Sequence, residues 1–198
     1  MITQRGGIIM RALIIAVFTL FATMASASTW NIINYSEVQE SLMDQAEVLG
    51  LDWKVGETAD YTIKMGFVNG KMHSFVREEV HEGFWVQQDM DMGFLGKQKV
   101  EMLIDKNTGE VLQLLVNGEK QAPPEQGDQE VIDMQEANIS VPAGTFDCVY
   151  LKVRDNKENK ESEAWINPTA IPITGMLKTI APGPMGKVTV ELTAFRKM

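Results

Sequence analysis

The chain has a single cysteine, Cys148, among 198 residues. One thiol excludes a disulfide framework and any zinc site that depends on several thiolates. A basic surplus is also lacking: 18 Lys+Arg stand against 27 Asp+Glu, for a formal charge of −9. With no excess of cations to neutralise phosphates, nucleic acid is excluded as a partner. The same acidity argues against adsorption to anionic lipid headgroups, though it does not forbid an internal apolar cavity. There is no internal repeat and no low-complexity tract. What remains is a composition with 44% hydrophobic residues. It suits a globular fold, and the length suits one domain.

Residues 1–27 read as an address. Arg5 and Arg11 form a basic n-region, and Ala12 to Met24 is an almost wholly apolar run. That run is shorter than the roughly 20 residues a transmembrane helix needs. Ala25-Ser26-Ala27 fits the small-x-small rule for signal-peptidase cleavage. No Cys follows the run, so lipidation of the bacterial lipoprotein kind is not expected. The expected mature chain starts at Ser28 and forms one β-rich domain over residues 28–198, in the periplasm or secreted. Its loss of Arg5 and Arg11 moves the charge from −9 to −11 over 171 residues. Such a chain can bury about 70% of its unfolded surface, enough for a core without disulfides.

One helix is predicted, over residues 36–49. Ser36 and Gln39 have capping-box spacing, Val38, Leu42, Ala46 and Leu49 share a face, and Gly50 can close the end. From residue 51 the period becomes two. Tyr61, Ile63, Met65 and Phe67 alternate with polar residues, and Asn69-Gly70 signals a tight hairpin into Met72 to Val80. Phe84, Val86, Met90 and Met92 alternate in residues 84–92; Val100, Met102 and Ile104 form the next inward set. Turns at residues 106–109 and at Asn117-Gly118 bracket Leu112, Leu114 and Val116. The stretch Gln121 to Gln129 reads as a loop. Further strands are predicted in residues 138–141, 145–154, 161–166 and 188–194, with residues 175–179 a short helical turn or a bent strand. The expected fold is mainly β: a curved antiparallel sheet, half-barrel or open barrel, with one N-terminal helix.

Candidate chemistry is sparse. His73 and His81 are eight residues apart, about 26 Å along a straight strand and too far to share a metal. Asp89-Met90-Asp91-Met92-Gly93 lacks the third oxygen ligand and the distal Glu of an EF-hand loop. Around Cys148 the residues Val149, Leu151 and Val153 fall on one side, and Phe146, Cys148 and Tyr150 on the other. Both faces are apolar, so both are expected to be covered and the thiol inert. No nucleophile–base–oxyanion set is visible, so no enzyme, metal or cofactor is expected. Ten of the 13 methionines lie beyond residue 27. Met65, Met72, Met90, Met92 and Met102 take inward positions, and flexible thioethers suit a deformable apolar wall.

Val141-Pro142-Ala143-Gly144-Thr145-Phe146-Asp147-Cys148, followed by Glu163-Ala164-Trp165-Ile166-Asn167-Pro168, resembles a pattern in secreted bacterial β proteins. In outline these are similar to the lipoprotein-carrier (LolA/LolB-like) half-barrels. The resemblance implies a curved sheet around an apolar groove covered by helical segments. The expected function is non-catalytic binding of a hydrophobic ligand, a lipid or acyl chain, by Met65, Val86, Met90, Met102, Leu114 and Val190. The alternative is an envelope protein–protein interaction module with no small-molecule ligand.

Overall fold

The computed structural model describes residues 51–123, 129–156, 159–183 and 185–198. The address segment, its cleavage point and the helix expected over residues 36–49 lie outside the described residues. The strands are β1 (Thr58–Met65), β2 (Val68–Glu79), β3 (Gly83–Asp91), β4 (Lys97–Asp105), β5 (Val111–Val116), β6 (Glu119–Gln121), β7 (Gln129–Val141), β8 (Gly144–Asp155), β9 (Lys160–Ile166), β10 (Met176–Gly183) and β11 (Gly186–Arg196). All belong to one sheet, ordered β6-β5-β4-β3-β2-β1-β11-β10-β9-β8-β7, and every pairing is antiparallel. Two meanders therefore meet at a β1–β11 seam. No helix among the described residues is long and apolar enough to cross a membrane.

Chain connectivity forces the sheet to curve. Gln121 and Gln129 are eight residues apart, yet they belong to the two opposite edge strands. Eight extended residues reach about 29 Å, whereas the edges of a flat eleven-stranded sheet would lie about 48 Å apart. One-residue register shifts, with the extra residue in β2, β5, β7, β10 and β11, mark places where the strands bend. At the far end the β7–β8 turn folds back on the seam: Ala143 N–H donates to the Leu192 carbonyl at 3.2 Å, and the Phe146 and Phe195 rings meet edge to face.

Alternation supplies the core. In β1, β2 and most of β3 each step along the strand moves a side chain from the buried face to the solvated one, while in β4 Val100 to Ile104 are all buried. Leu114, Met102, Val86 and Val76 stand opposite one another across β5 to β2. Gly70, Ile63, Val190, Thr179, Ala164 and Leu151 carry another row across the seam from β2 to β8. Residues 175–179 resolve as a bent strand, since β10 starts at Met176 and shifts register before Lys178.

Two expectations are corrected. The first hairpin turns at Gly66-Phe67, not at Asn69-Gly70: Asn69 and Gly70 already lie in β2, paired with Lys64 and Ile63. Gly66 has φ +58, the conformation the tight turn needs. Phe67 consequently leaves the inward set and is exposed. The expected loop is also shorter at both ends, because Gln121 closes β6 and Gln129 opens β7.

Candidate functional site

Met65, Val86, Met90, Met102, Leu114 and Val190 are all buried, and all belong to one apolar cluster. Register divides them. Val86, Met102 and Leu114 are neighbours in one cross-strand row. Met90 is opposite Met72, which is in turn opposite Tyr61. Met65 and Val190 sit near the seam, opposite Val188 and Ile63 respectively. All six share the inner face, but they span its width rather than converging on one point.

A polar pair interrupts this apolar surface. Ser74 in β2 and Gln88 in β3 are directly opposite one another and both are 0% exposed. The Ser74 Oγ and both Gln88 amide atoms, Oε1 and Nε2, have no hydrogen-bond partner. Their flanking rows are apolar, with Met72 and Met90 on one side and Val76 and Val86 on the other. A buried polar group left unpaired costs about 1–3 kcal/mol, and native proteins hold few of them. Reading the sequence by composition passed over both residues. Period two would have found them, since Gln88 lies between Val86 and Met90, and Ser74 between Met72 and Val76.

The segment linking β9 to β10 packs into the apolar cluster of the inner face. Ile171, Ile173 and Thr174 are buried there. Tyr61 Oη and Thr174 Oγ1 lie 3.1 Å apart in a hydrogen bond, and burial drives the phenol far above its ordinary pKa. Ile173 has φ +66, a left-handed conformation that a β-branched residue adopts only at a cost of about 1–3 kcal/mol. Gly175 has φ +64, and a Cβ there would stand 2.7 Å from the Pro168 Cα. Asn167 secures the base of the segment: its Nδ2 donates to the Asp147 carbonyl at 2.7 Å, and its backbone N–H to the Gly175 carbonyl at 2.7 Å. The two pieces of the 141–168 motif are joined by that first bond.

The remaining candidates fall to ordinary structural roles. His73 Nδ1 bonds Asp60 Oδ1 at 2.6 Å on the outer face, while His81 lies in the β2–β3 turn. Asp89 accepts from Gln87 Nε2, and Asp91 pairs with Lys97 and caps the Gly93 N–H. Among the described residues no cluster of three or more His, Cys, Asp or Glu side chains could hold a metal ion. Cys148 is buried, and that burial, with Asp147 beside it, pushes its thiol pKa up. It joins the main cluster while Leu151 and Val153 are buried on the strand's opposite side, so both faces of β8 are covered.

No protein-family model and no curated protein matches the chain. Among solved structures it is similar to hypothetical protein CT021 from Chlamydia trachomatis, at 13% identity and TM-score 0.48, covering 82% of this chain and 93% of that one. It is similar also to MucB in the Pseudomonas aeruginosa MucA/MucB complex, at 10% identity and TM-score 0.41 over 81% of this chain. In that comparison the chain spans 56% of its counterpart. An exported protein with a YmcC-like fold from Bacteroides fragilis gives 11% identity and TM-score 0.40, over 75% and 99% of the two chains. No function follows from likenesses this distant.

Proposed function

We propose that this protein is a non-catalytic periplasmic binder of a hydrophobic ligand, a lipid or acyl chain, held against the inner face of the curved sheet. The observation that carries the reading is the unpartnered Ser74–Gln88 pair in a methionine-rich apolar surface. A core built only for stability gains from apolar residues at both positions. A ligand with an apolar chain and an uncharged carbonyl or hydroxyl group uses them instead. Gln88 Nε2 donates to it, Gln88 Oε1 accepts from it, and the Ser74 hydroxyl does either. Met65, Met90 and Met102 adapt to the chain, and Val86, Leu114 and Val190 complete the apolar contact. The resemblance of residues 141–168 to the lipoprotein carriers points the same way.

The test measures displacement of a fluorescent fatty-acid analogue by a monoacylglycerol and by an alkane of equal chain length, alongside native mass spectrometry. The parent is expected to prefer the monoacylglycerol by about tenfold, the worth of one hydrogen bond of about 1.4 kcal/mol. Gln88→Met should erase that preference while raising the melting temperature. A parent that binds no probe and carries no co-purifying lipid overturns the reading.

One observation favours the alternative, an envelope protein–protein module. β7 is a 13-residue edge strand whose outer side has no strand partner among the described residues. Such an edge can accept a strand from another chain. Capture of a protein partner by a lipid-free parent, lost on Glu136→Pro, whose backbone N–H alternates away from β8, would favour it.

A further inference from the structure

The charge that disfavours anionic surfaces is an average, and the fold does not spread it evenly. Three turns gather at one end of the sheet: the β1–β2 turn, the β3–β4 turn with its 3-10 segment Gly93–Leu95, and the β10–β11 turn. Gly66 of the first lies against Met185 of the third, and the 3-10 segment packs on the start of β2. Phe67 and Phe94 crown this end at 77% and 74% exposure. Their rings stack on each other with centroids 6.0 Å apart and planes 2° from parallel. Two rings left in water together at adjacent tips are an apolar knob, not scattered surface residues.

Lysines surround the knob. Lys64 is the last residue but one of β1, Lys97 opens β4 just after the 3-10 segment, and their side chains are 62% and 80% exposed. Lys71 and Lys187, near the starts of β2 and β11, are exposed as well. Two acids are set among them: Asp91, between Lys71 and Lys97 in register and bonded to Lys97, and Glu191, 3.8 Å from the Lys64 ammonium. The opposite end of the same strands is mixed: Glu78, Glu79, Glu82 and Glu110 are exposed there, together with Lys54, Arg196 and Lys197, and Lys106 lies 4.0 Å from Glu79.

We infer that this end docks on an anionic lipid bilayer, with Phe67 and Phe94 in the acyl boundary and Lys64, Lys71, Lys97 and Lys187 over the headgroups. Exposed aromatic rings gain by entering the interface, and each nearby lysine adds attraction to anionic lipid. The docking stands on the surface alone and does not depend on what the inner face holds.

The test is co-sedimentation of the full chain, as exported from its host, with vesicles of phosphatidylcholine alone or with phosphatidylglycerol in equal part. Parent and variants carry the same N-terminus, checked by intact mass, so its contribution cancels. The parent should pellet with the phosphatidylglycerol vesicles and be released by salt. Phe67→Ser with Phe94→Ser should lower the partition coefficient at least about tenfold. Lys64→Gln with Lys97→Gln should lower it about fivefold per lysine and flatten the salt dependence. These side chains are exposed, so unchanged melting temperatures are expected and show that the fold is intact. Equal pelleting with both vesicle types, or no loss in the phenylalanine variant, overturns the inference. So does a parent that ignores vesicles but forms a dimer dispersed by the phenylalanine changes, since the knob would then be covered by a second copy.

Discussion

Strands β1 to β3 exchange a buried residue for a solvated one at almost every step, whereas β7 is exposed or half-exposed at every described position before Val141. Its neighbour β8 departs in the other direction, with buried residues on both faces. In the first meander a slip of one residue would turn a whole apolar face to water, so register is strongly specified. In the second, β7 contributes little burial and is held by its ladder with β8 and by the fold-back of its tip onto Leu192. Its exposed Asp133, Gln135, Glu136 and Asn138 suit an edge that must not pair indiscriminately. Both meanders contribute buried apolar side chains, but the second ends in an accessible edge at β7.

The largest expected effect contrasts two methionines. Met102, in the buried β3–β4–β5 row, should lose about 2–5 kcal/mol on Met102→Ala in urea unfolding, with Met90→Ala close behind. Met134 in β7 is 39% exposed, and Met134→Ala should stay within about 0.5 kcal/mol. Equal losses would erase the distinction between the meanders.

A smaller contrast sets two ion-pair clusters against each other. Glu101 takes Lys99 and Arg77, and Arg77 also lies over the Trp85 ring. The hydrogen bond from Lys99, followed by the charges of Lys99 and Arg77, holds the Glu101 carboxyl below its ordinary pKa. Glu161 in β9 is lowered likewise by Lys152 and Arg154, but in a more open setting. A lowered folded pKa stabilises fully above the unfolded value, near 4.5, and the gain disappears as pH falls through the folded value. Glu101→Gln should therefore destabilise at neutral pH by about 1 kcal/mol, and the gap to the parent should close on acid titration. Glu161→Gln should change far less. A gap that widens toward acid would reverse the sign and refute the assignment.

The smallest expected effect sharpens the account of β8. Native-state labelling of Cys148 by a maleimide should be slow and should accelerate only on unfolding. Rapid labelling would mean that the second face of β8 opens.

Most strands were legible because a half-buried antiparallel sheet writes period two into the sequence. The alternation that placed Met65, Val86, Met90, Met102, Leu114 and Val190 inward needs no knowledge of their neighbours. The turn at Gly66-Phe67 was masked by Asn69-Gly70, a stronger local signal overruled once Ile63 and Val190 had to share a row with Gly70. Period two already sets Ser74 and Gln88 inward among apolar residues, but that they face each other and bond to nothing is a property of three-dimensional surroundings. The packing of Ile171 and Ile173 into the inner cluster was equally hidden, because an irregular apolar stretch carries no period that assigns it a direction. The seam was hidden for a different reason: local pattern says which strands exist, not that β1 pairs with β11.

That seam also sets a timetable. Thr58 lies opposite Arg196, so the centre of the sheet joins the earliest described strand to the final one. During synthesis β1 through β6 can zip as neighbours, yet β1 keeps a bare flank until the C-terminal residues arrive. Closing so long a loop is slow, and an interval with exposed strand edges invites association with other nascent chains. Whatever holds the chain open over that interval governs its yield as much as the interactions of the finished fold, because the keystone is laid last.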